Sequence, residues 1–311
     1  MSAVPRVAVV GAGLSGAACA RALRDGGVQV EVFDQGRAPG GRMASPTMHG
    51  RRVDIGAAYF TVSEPAFASV VEQWAARGLI RDWTDTLDAF SAAGHRLSSG
   101  PMRHAAPDGL RSLVQASLPD DVRSGRVVGA LDELDHDAVV LAMPDPQAAR
   151  LAPYAADWVT YEPVVTVIAG WDRRCWPMTH AAFVNDDPDI TMVADDGSRR
   201  GDGAAVLVTH TTARLAGAHL QTPLDAIAPV LAALARVIDV TADPQWSLAH
   251  RWTYAKPVGT HGNKPFALVD GGGRPVGLCG DSWCPSGSPR IESAWLSGHR
   301  LGTALAARLE S

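Results

Sequence analysis

Lysine is nearly absent. Only Lys256 and Lys264 occur among 28 basic residues, and 33 acidic residues leave a formal net charge of −5. A nucleic-acid partner needs a basic face to neutralise phosphates, so this balance gives it no electrostatic support. Cysteine is scarce too: Cys19, Cys175, Cys279 and Cys284 show neither metal-ligand nor redox spacing, and 311 residues need no disulfide framework. No H-x-x-x-H pair or Cys/His cluster occurs, which argues against a catalytic metal. No apolar run approaches about 18 residues, so no transmembrane helix and no membrane partner are expected. The small apolar stretch at 7–20 could pass for a signal-peptide core, but its glycines have another explanation, and a cytoplasmic protein is expected. The 31 glycines and 21 prolines fall short of the roughly 25–30% share of low-complexity chains.

What is present is a globular composition, 46% hydrophobic and 20% charged, long enough for two domains. Residues 6–10 (RVAVV) lack a polar face, as a central parallel strand does. The turn GAGLSG follows, then helix formers to Arg24, a Gly26-Gly27 stop, and a second strand at 28–33. Helical spacing recurs at 64–76 and 110–118, and strands are expected at 122–131 and 138–142. Between 161 and 254 the strands alternate (164–169, 205–211, 247–253) around a helix at 223–237, which suggests an antiparallel second domain. Parallel style returns with a strand at 276–279 and a helix from Pro289 to Leu309, with Ser288 as its N-cap.

Gly11, Gly13 and Gly16 form G-x-G-x-x-G between strand and helix. Such a turn lets backbone approach a pyrophosphate that the helix N-terminus attracts. Asp34, followed by Gln35, lies 18 residues past Gly16, where an acid binds ribose hydroxyls. Two features favour FAD over NAD(P). Arg42 in Gly40-Gly41-Arg42 can fork onto pyrophosphate oxygens. Asp281, after a buried strand, can accept from ribityl hydroxyls, while the helix start at 289–291 can stabilise the charge of a reduced flavin. No second G-x-G-x-x-G appears in a strand–helix setting, so NAD(P)H has no Rossmann site of its own.

In chain order, GAGLSG, FDQGRAPGGRM, DIGAAYFT, LAMP, HTT, HRWTYAKP and CGDSWCPSGSPRIESAWLSGHRLG resemble the renalase group of FAD-dependent oxidoreductases, within the glutathione-reductase/amine-oxidase flavoprotein class. The resemblance implies that Ala12, Gly13 and Ser15 contact the pyrophosphate, Asp34 the adenosine ribose, and Arg42 the pyrophosphate–ribityl region. It places Gly56, Ala57 and Ala58 close to the flavin ring, the Val128 main chain at adenine, and Asp281 and the Ile291 N–H at ribityl and flavin O2. Only nine residues separate Val128 from Ala138, so the adenine end is abbreviated relative to the class. Amine oxidases typically carry a lysine on the strand matching 163–167; here the segment Glu162–Thr166 has none, which disfavours amine oxidation.

The expected fold is α/β. A Rossmann-type FAD-binding domain (1–60, 98–150, 265–311) joins a substrate domain (61–97, 151–264) of mainly antiparallel sheet plus helices. The resemblance implies oxidation of the 2- and 6-dihydro isomers of NAD(P)H to NAD(P)+, with O2 reduced to H2O2. Hydride leaves a dihydropyridine without a proton, so no base is required, and no catalytic side chain is assigned. The expected substrate pocket is lined by Tyr59, Thr209, His210, Trp252, Tyr254 and Trp283, whose rings and polar tips suit a nicotinamide. His250, His261 and His299 receive no role. Other readings stay open: a flavin oxidase or desaturase of another small molecule, a non-catalytic flavoprotein, and an NAD(P)-dependent dehydrogenase.

Overall fold

The computed structural model describes residues 4–119, 122–155 and 158–310. Small parts of the expected domain segments (1–3, 120–121, 156–157 and 311) lie outside them. The chain opens with β1 (Arg6–Val10), α1 (Leu14–Asp25) and β2 (Gln29–Asp34). A ribbon of β3 (Thr47–Met48) and β4 (Arg51–Arg52) precedes α2 (Pro65–Ala76), β5 (Arg81–Ser91), β6 (Gly94–Ala105) and α3 (Arg111–Gln115). Next come β7 (Val122–Ser124), β8 (Ala138–Leu141), α4 (Asp145–Leu151) and β9 (Thr160–Gly170). Then follow β10 (Ala181–Val184), β11 (Ile190–Asp195), α5 (Asp196–Arg200), β12 (Val206–Thr211), α6 (Ala213–Ala218) and α7 (Ile227–Ile238). The chain closes with β13 (Trp246–Val258), β14 (Ala267–Asp270), β15 (Pro275–Leu278) and α8 (Ile291–Glu310).

Two sheets organise these elements. The first has the order β14-β15-β8-β1-β2-β7 and is parallel except for β14 against β15. The apolar run of β1 is explained by its central place, because both faces are covered. Val7 and Val9 pack under α1 and α8 with Cys19, Leu23, Leu301 and Leu305, while Ala8 and Val10 meet Val139, Leu141 and Ala148 on the other side. The second sheet has the order β13-β9-β12-β11-β10-β5-β6 and is antiparallel except for β10 against β5. Its strand parity sets what faces the site. Val165, Val167 and Leu207 point to α7, which seals that side with Val230, Leu234 and Ile238. Ile168, Val206 and Val208 point the other way, onto Val53 and Ile55.

Some elements differ from the sequence expectations. The strand expected over 122–131 stops at Ser124, because Gly125 takes φ 73° and its N–H turns back to the Gly36 carbonyl. A 3-10 turn occupies Leu131–Glu133 instead. The last helix starts at Ile291 rather than Pro289, so its N-cap position falls on Arg290, whose N–H donates to Ser293 Oγ at 2.7 Å, and not on Ser288. The 223–237 helix divides into a 3-10 turn, Pro223–Ala226, and α7. Sheet membership also runs past the change expected at 98, since β6 carries the second sheet to Ala105.

Candidate functional site

The turn after β1 is built for close backbone contact. Gly11 holds φ 111° and donates its N–H to Phe33 O at 2.7 Å. A Cβ on Gly16 would stand 1.9 Å from the Gly11 carbonyl, so α1 can sit on β1 only through glycine. Gly13 is the N-cap of α1 and no side chain bonds to the helix start, which leaves first-turn amides for a ligand anion. Asp34 completes the turn: Oδ2 accepts from Ala12 N at 2.6 Å and Oδ1 from Gly36 N at 2.6 Å.

At the other end of the site, Arg42 donates through Nη1 to Asp281 Oδ2 at 2.7 Å and through Nη2 to Oδ1 at 2.6 Å. Nη1 also reaches the Ala255 carbonyl at 3.0 Å, and the guanidinium lies 5.7 Å from the Tyr161 ring centroid. Burial opposes the charge of Arg42, but the Asp281 carboxylate outweighs it and raises the guanidinium above its ordinary value. Burial, with Asp281 nearby, pushes the Tyr161 phenol up, so it stays protonated. Behind Asp281, Ser282 Oγ donates to Asp145 Oδ1 at 2.9 Å, and Asp145 Oδ2 meets His261 Nε2 at 2.5 Å. Both of those side chains are buried.

The 54–58 segment presents its backbone to the site at Gly56. Ile55 N donates to Ala44 O (3.1 Å), Ala57 N to Arg42 O (2.9 Å), and Trp252 Nε1 to Ile55 O (3.0 Å). A Cβ on Gly56 would fall 2.0 Å from the Arg42 carbonyl, so backbone itself faces the site. Beside it His210 is partly open to the cavity yet deep in the molecule. Burial, then Lys256 and Arg199, push its pKa down to about 4, against a contact with the Gly56 backbone that raises it. His210 is therefore neutral at pH 7.

These parts enclose a cavity of about 610 Å³, lined by both sheets' elements and within the range of ligand sites. Eleven of the expected cofactor residues meet on it: Gly11, Gly13, Ser15, Asp34, Gln35, Arg42, Gly56, Ala57, Val128, Asp281 and Ile291. Three stand behind the surface. The Ala12 amide is taken by Asp34, Gly16 packs on Gly11, and the Ala58 carbonyl is held by Arg199. Of the expected substrate residues, His210 and Trp252 line the cavity. Thr209 shares the parity of Leu207 and is turned toward the α7 side. Tyr59 packs with Ala58 and Trp83 under Arg103. Tyr254 accepts from Arg150 at 2.9 Å, and Trp283 is buried in a stack on His261. Sequence reasoning missed Lys256, Arg150, Arg126 and Arg290 on the cavity wall. Lys256 shares strand parity with Trp252 on β13, four residues on, so alternation from Trp252 was the available signal.

The glycine cradle, the uncapped helix start, the acid at the end of β2 and the guanidinium held near β13 fit an FAD molecule. The comparisons agree. Residues 9–74 match the model of an NAD(P)-binding Rossmann-like domain, and residues 110–305 match that of flavin containing amine oxidoreductases. Renalase of Mus musculus is 23% identical over 317 residues, covering 85% of this chain and 89% of renalase. Two solved structures share the fold. A candidate protoporphyrinogen oxidase from Exiguobacterium sp. 255-15 has TM-score 0.78 and 14% identity, covering 99% of this chain and 100% of that one. Cyclohexylamine oxidase from Brevibacterium oxydans IH-35A has TM-score 0.73 and 15% identity, with the same coverage. With its Rossmann turn, two-sheet cavity and matching family model, the chain belongs to the flavin containing amine oxidoreductases, renalase-like in sequence, with FAD as its cofactor.

Proposed function

We propose that this flavoprotein is an oxidase of the 2- and 6-dihydro isomers of NAD(P)H, returning them to NAD(P)+ with O2 reduced to H2O2. The charge on the cavity wall carries this reading. Its acidic side chains among the described residues are Asp34 and Asp281, and both are engaged, one by backbone amides and the other by Arg42. Five cationic side chains share the wall: Arg42, Arg126, Arg150, Lys256 and Arg290. An ammonium substrate would find no available carboxylate, and Lys256, which is not among the expected FAD contacts, leaves a cation on the wall for an anionic substrate.

Bound FAD supplies a hydride acceptor that O2 can reoxidise. The chain's own residues bind and orient. Lys256, beside neutral His210, offers a cation to substrate phosphate, and the Trp252 edge closes the wall behind the 54–58 backbone. A proton acceptor is unnecessary for hydride loss from a dihydropyridine, and His210 as a neutral imidazole does not repel the pyridinium product. β9 carries no lysine in Glu162–Thr166; instead Thr166 Oγ1 accepts from Trp252 Nε1 at 3.2 Å. In this scheme 1–60, 106–150 and 265–311 serve FAD, and 61–105 with 151–264 serve the substrate, the expected boundary at 98 moving to the end of β6.

An aerobic assay tests the reading. Oxygen uptake is followed with 6-dihydro-NAD, 2-dihydro-NAD and benzylamine in separate cuvettes. Uptake with a dihydro isomer, accompanied by NAD+ and peroxide, is expected. Turnover of benzylamine with none of either isomer refutes it.

A further inference from the structure

A buried ion cluster ties α5 to β4 and to the 54–58 segment directly behind the cavity wall. Asp196, Arg199 and Arg200, all of α5, meet Asp54 and Arg51, and each except Arg51 is nearly or fully buried. Asp196 accepts from Arg199 on Oδ1 and from Arg51 on Oδ2 at 2.5 Å, and Arg200 Nε joins Oδ2 at 3.2 Å. Burial alone would raise the Asp196 carboxyl; the three guanidiniums outweigh it and hold it below its ordinary value. Buried ion groups of this kind are a poor source of stability, since apolar residues of similar volume commonly do as well. Their use must be sought in what they hold.

Arg199 holds backbone. Its Nη1 donates to Ala58 O at 3.1 Å and its Nη2 to Asp54 O at 3.0 Å, the first and last carbonyls of the 54–58 wall. Trp252 holds Ile55 O between them. The segment has no side chain with which to fix itself at Gly56, so its position is set from outside. Arg200 belongs to the same cluster but bonds to Pro107 O and pairs with Asp54 Oδ2, without touching those carbonyls.

We propose that Arg199 is a positioning residue for the FAD site: its fork, oriented by Asp196, spans the ends of 54–58 and fixes the Gly56–Ala57 backbone against the cofactor. The inference rests on FAD binding and is independent of the substrate reading. A lysine at 199 keeps the charge but presents a point donor that cannot hold two carbonyls and Asp196 together.

The test compares the R199K and R200K holoproteins with the parent. Thermal melting, the visible absorption maxima of bound FAD, its midpoint potential and its dissociation constant are measured. Both variants are expected to melt lower. Only R199K is expected to shift the flavin bands and potential and to weaken FAD binding, on the order of 10-fold. Parental bands, potential and affinity in R199K overturn the proposal, as does an equal change in R200K, which would mark a general loss of packing. Should R199K fail to fold, R199Q, which keeps a neutral donor for one carbonyl, is read by the same criteria.

Discussion

Asp34 fixes two backbone amides with its two oxygens, and the shape of the turn after β1 and of the chain after β2 follows from that. Replacing it with alanine leaves both N–H groups without their acceptor and removes a cavity-lining acid. A buried donor left unpaired costs about 1–3 kcal/mol, so D34A is expected to bind FAD at least about 10-fold more weakly by fluorescence titration. Unchanged affinity would remove the ribose-side assignment. His210 gives a pH prediction. Its pKa is about 4 in the fold against an ordinary value near 6.5, so between those limits the unfolded chain binds more protons. Stability contributed by neutral His210 is present above about 6.5 and is lost as pH falls toward 4. Urea unfolding across that range should show a smaller loss in H210N than in the parent; equal losses would contradict the neutral, buried assignment. The two residues differ in legibility. Asp34 is readable because its partners are local and its spacing from the glycine turn is fixed. The state of His210 depends on Lys256 and Arg199, which only the packed sheets bring near it.

At the scale of elements, the glycine turn separates two effects that the motif presents as one. Gly16 is a packing glycine, since a Cβ there strikes the Gly11 carbonyl, while a Cβ on Gly13 meets no protein atom within 4 Å and Gly13 lines the cavity. G16A is therefore expected to lower the melting temperature of the apoprotein by several degrees, as a loss of roughly 1–3 kcal/mol does. G13A should leave apoprotein melting near the parent value yet weaken FAD binding. The reverse order would contradict the division. The β1–α1–β2 unit was legible because its apolar run, turn and helix are contiguous. The hairpins β5–β6 and β10–β11 were not. In β5–β6, Thr84, Asp85, Ser98, Ser99 and Arg103 interrupt any apolar alternation, and β10, only four residues long, pairs on its other side with β5, distant in sequence. β7 was overread because nothing in its apolar residues announces the turn that Gly125 imposes.

For the whole molecule, the cavity exists because the second sheet turns its Ile168–Val208 face onto Val53 and Ile55, leaving β12 and β13 to complete a wall begun by β1 and β2. The nucleotide half of that wall could be read from motifs. The remaining half was harder to read, because Thr209 is turned to the α7 side by strand parity, Tyr59 and Trp283 are taken into packing, and Tyr254 is engaged by Arg150. In the proposed reaction this wall presents a dihydronicotinamide to bound FAD. The most direct test is to mix the FAD-loaded protein anaerobically with 6-dihydro-NAD and follow the visible flavin absorbance. Bleaching within seconds, with one NAD+ formed per flavin and colour restored by air, is the predicted result. A flavin spectrum that persists under 6-dihydro-NAD and 2-dihydro-NAD, yet bleaches with a primary amine, would contradict the account.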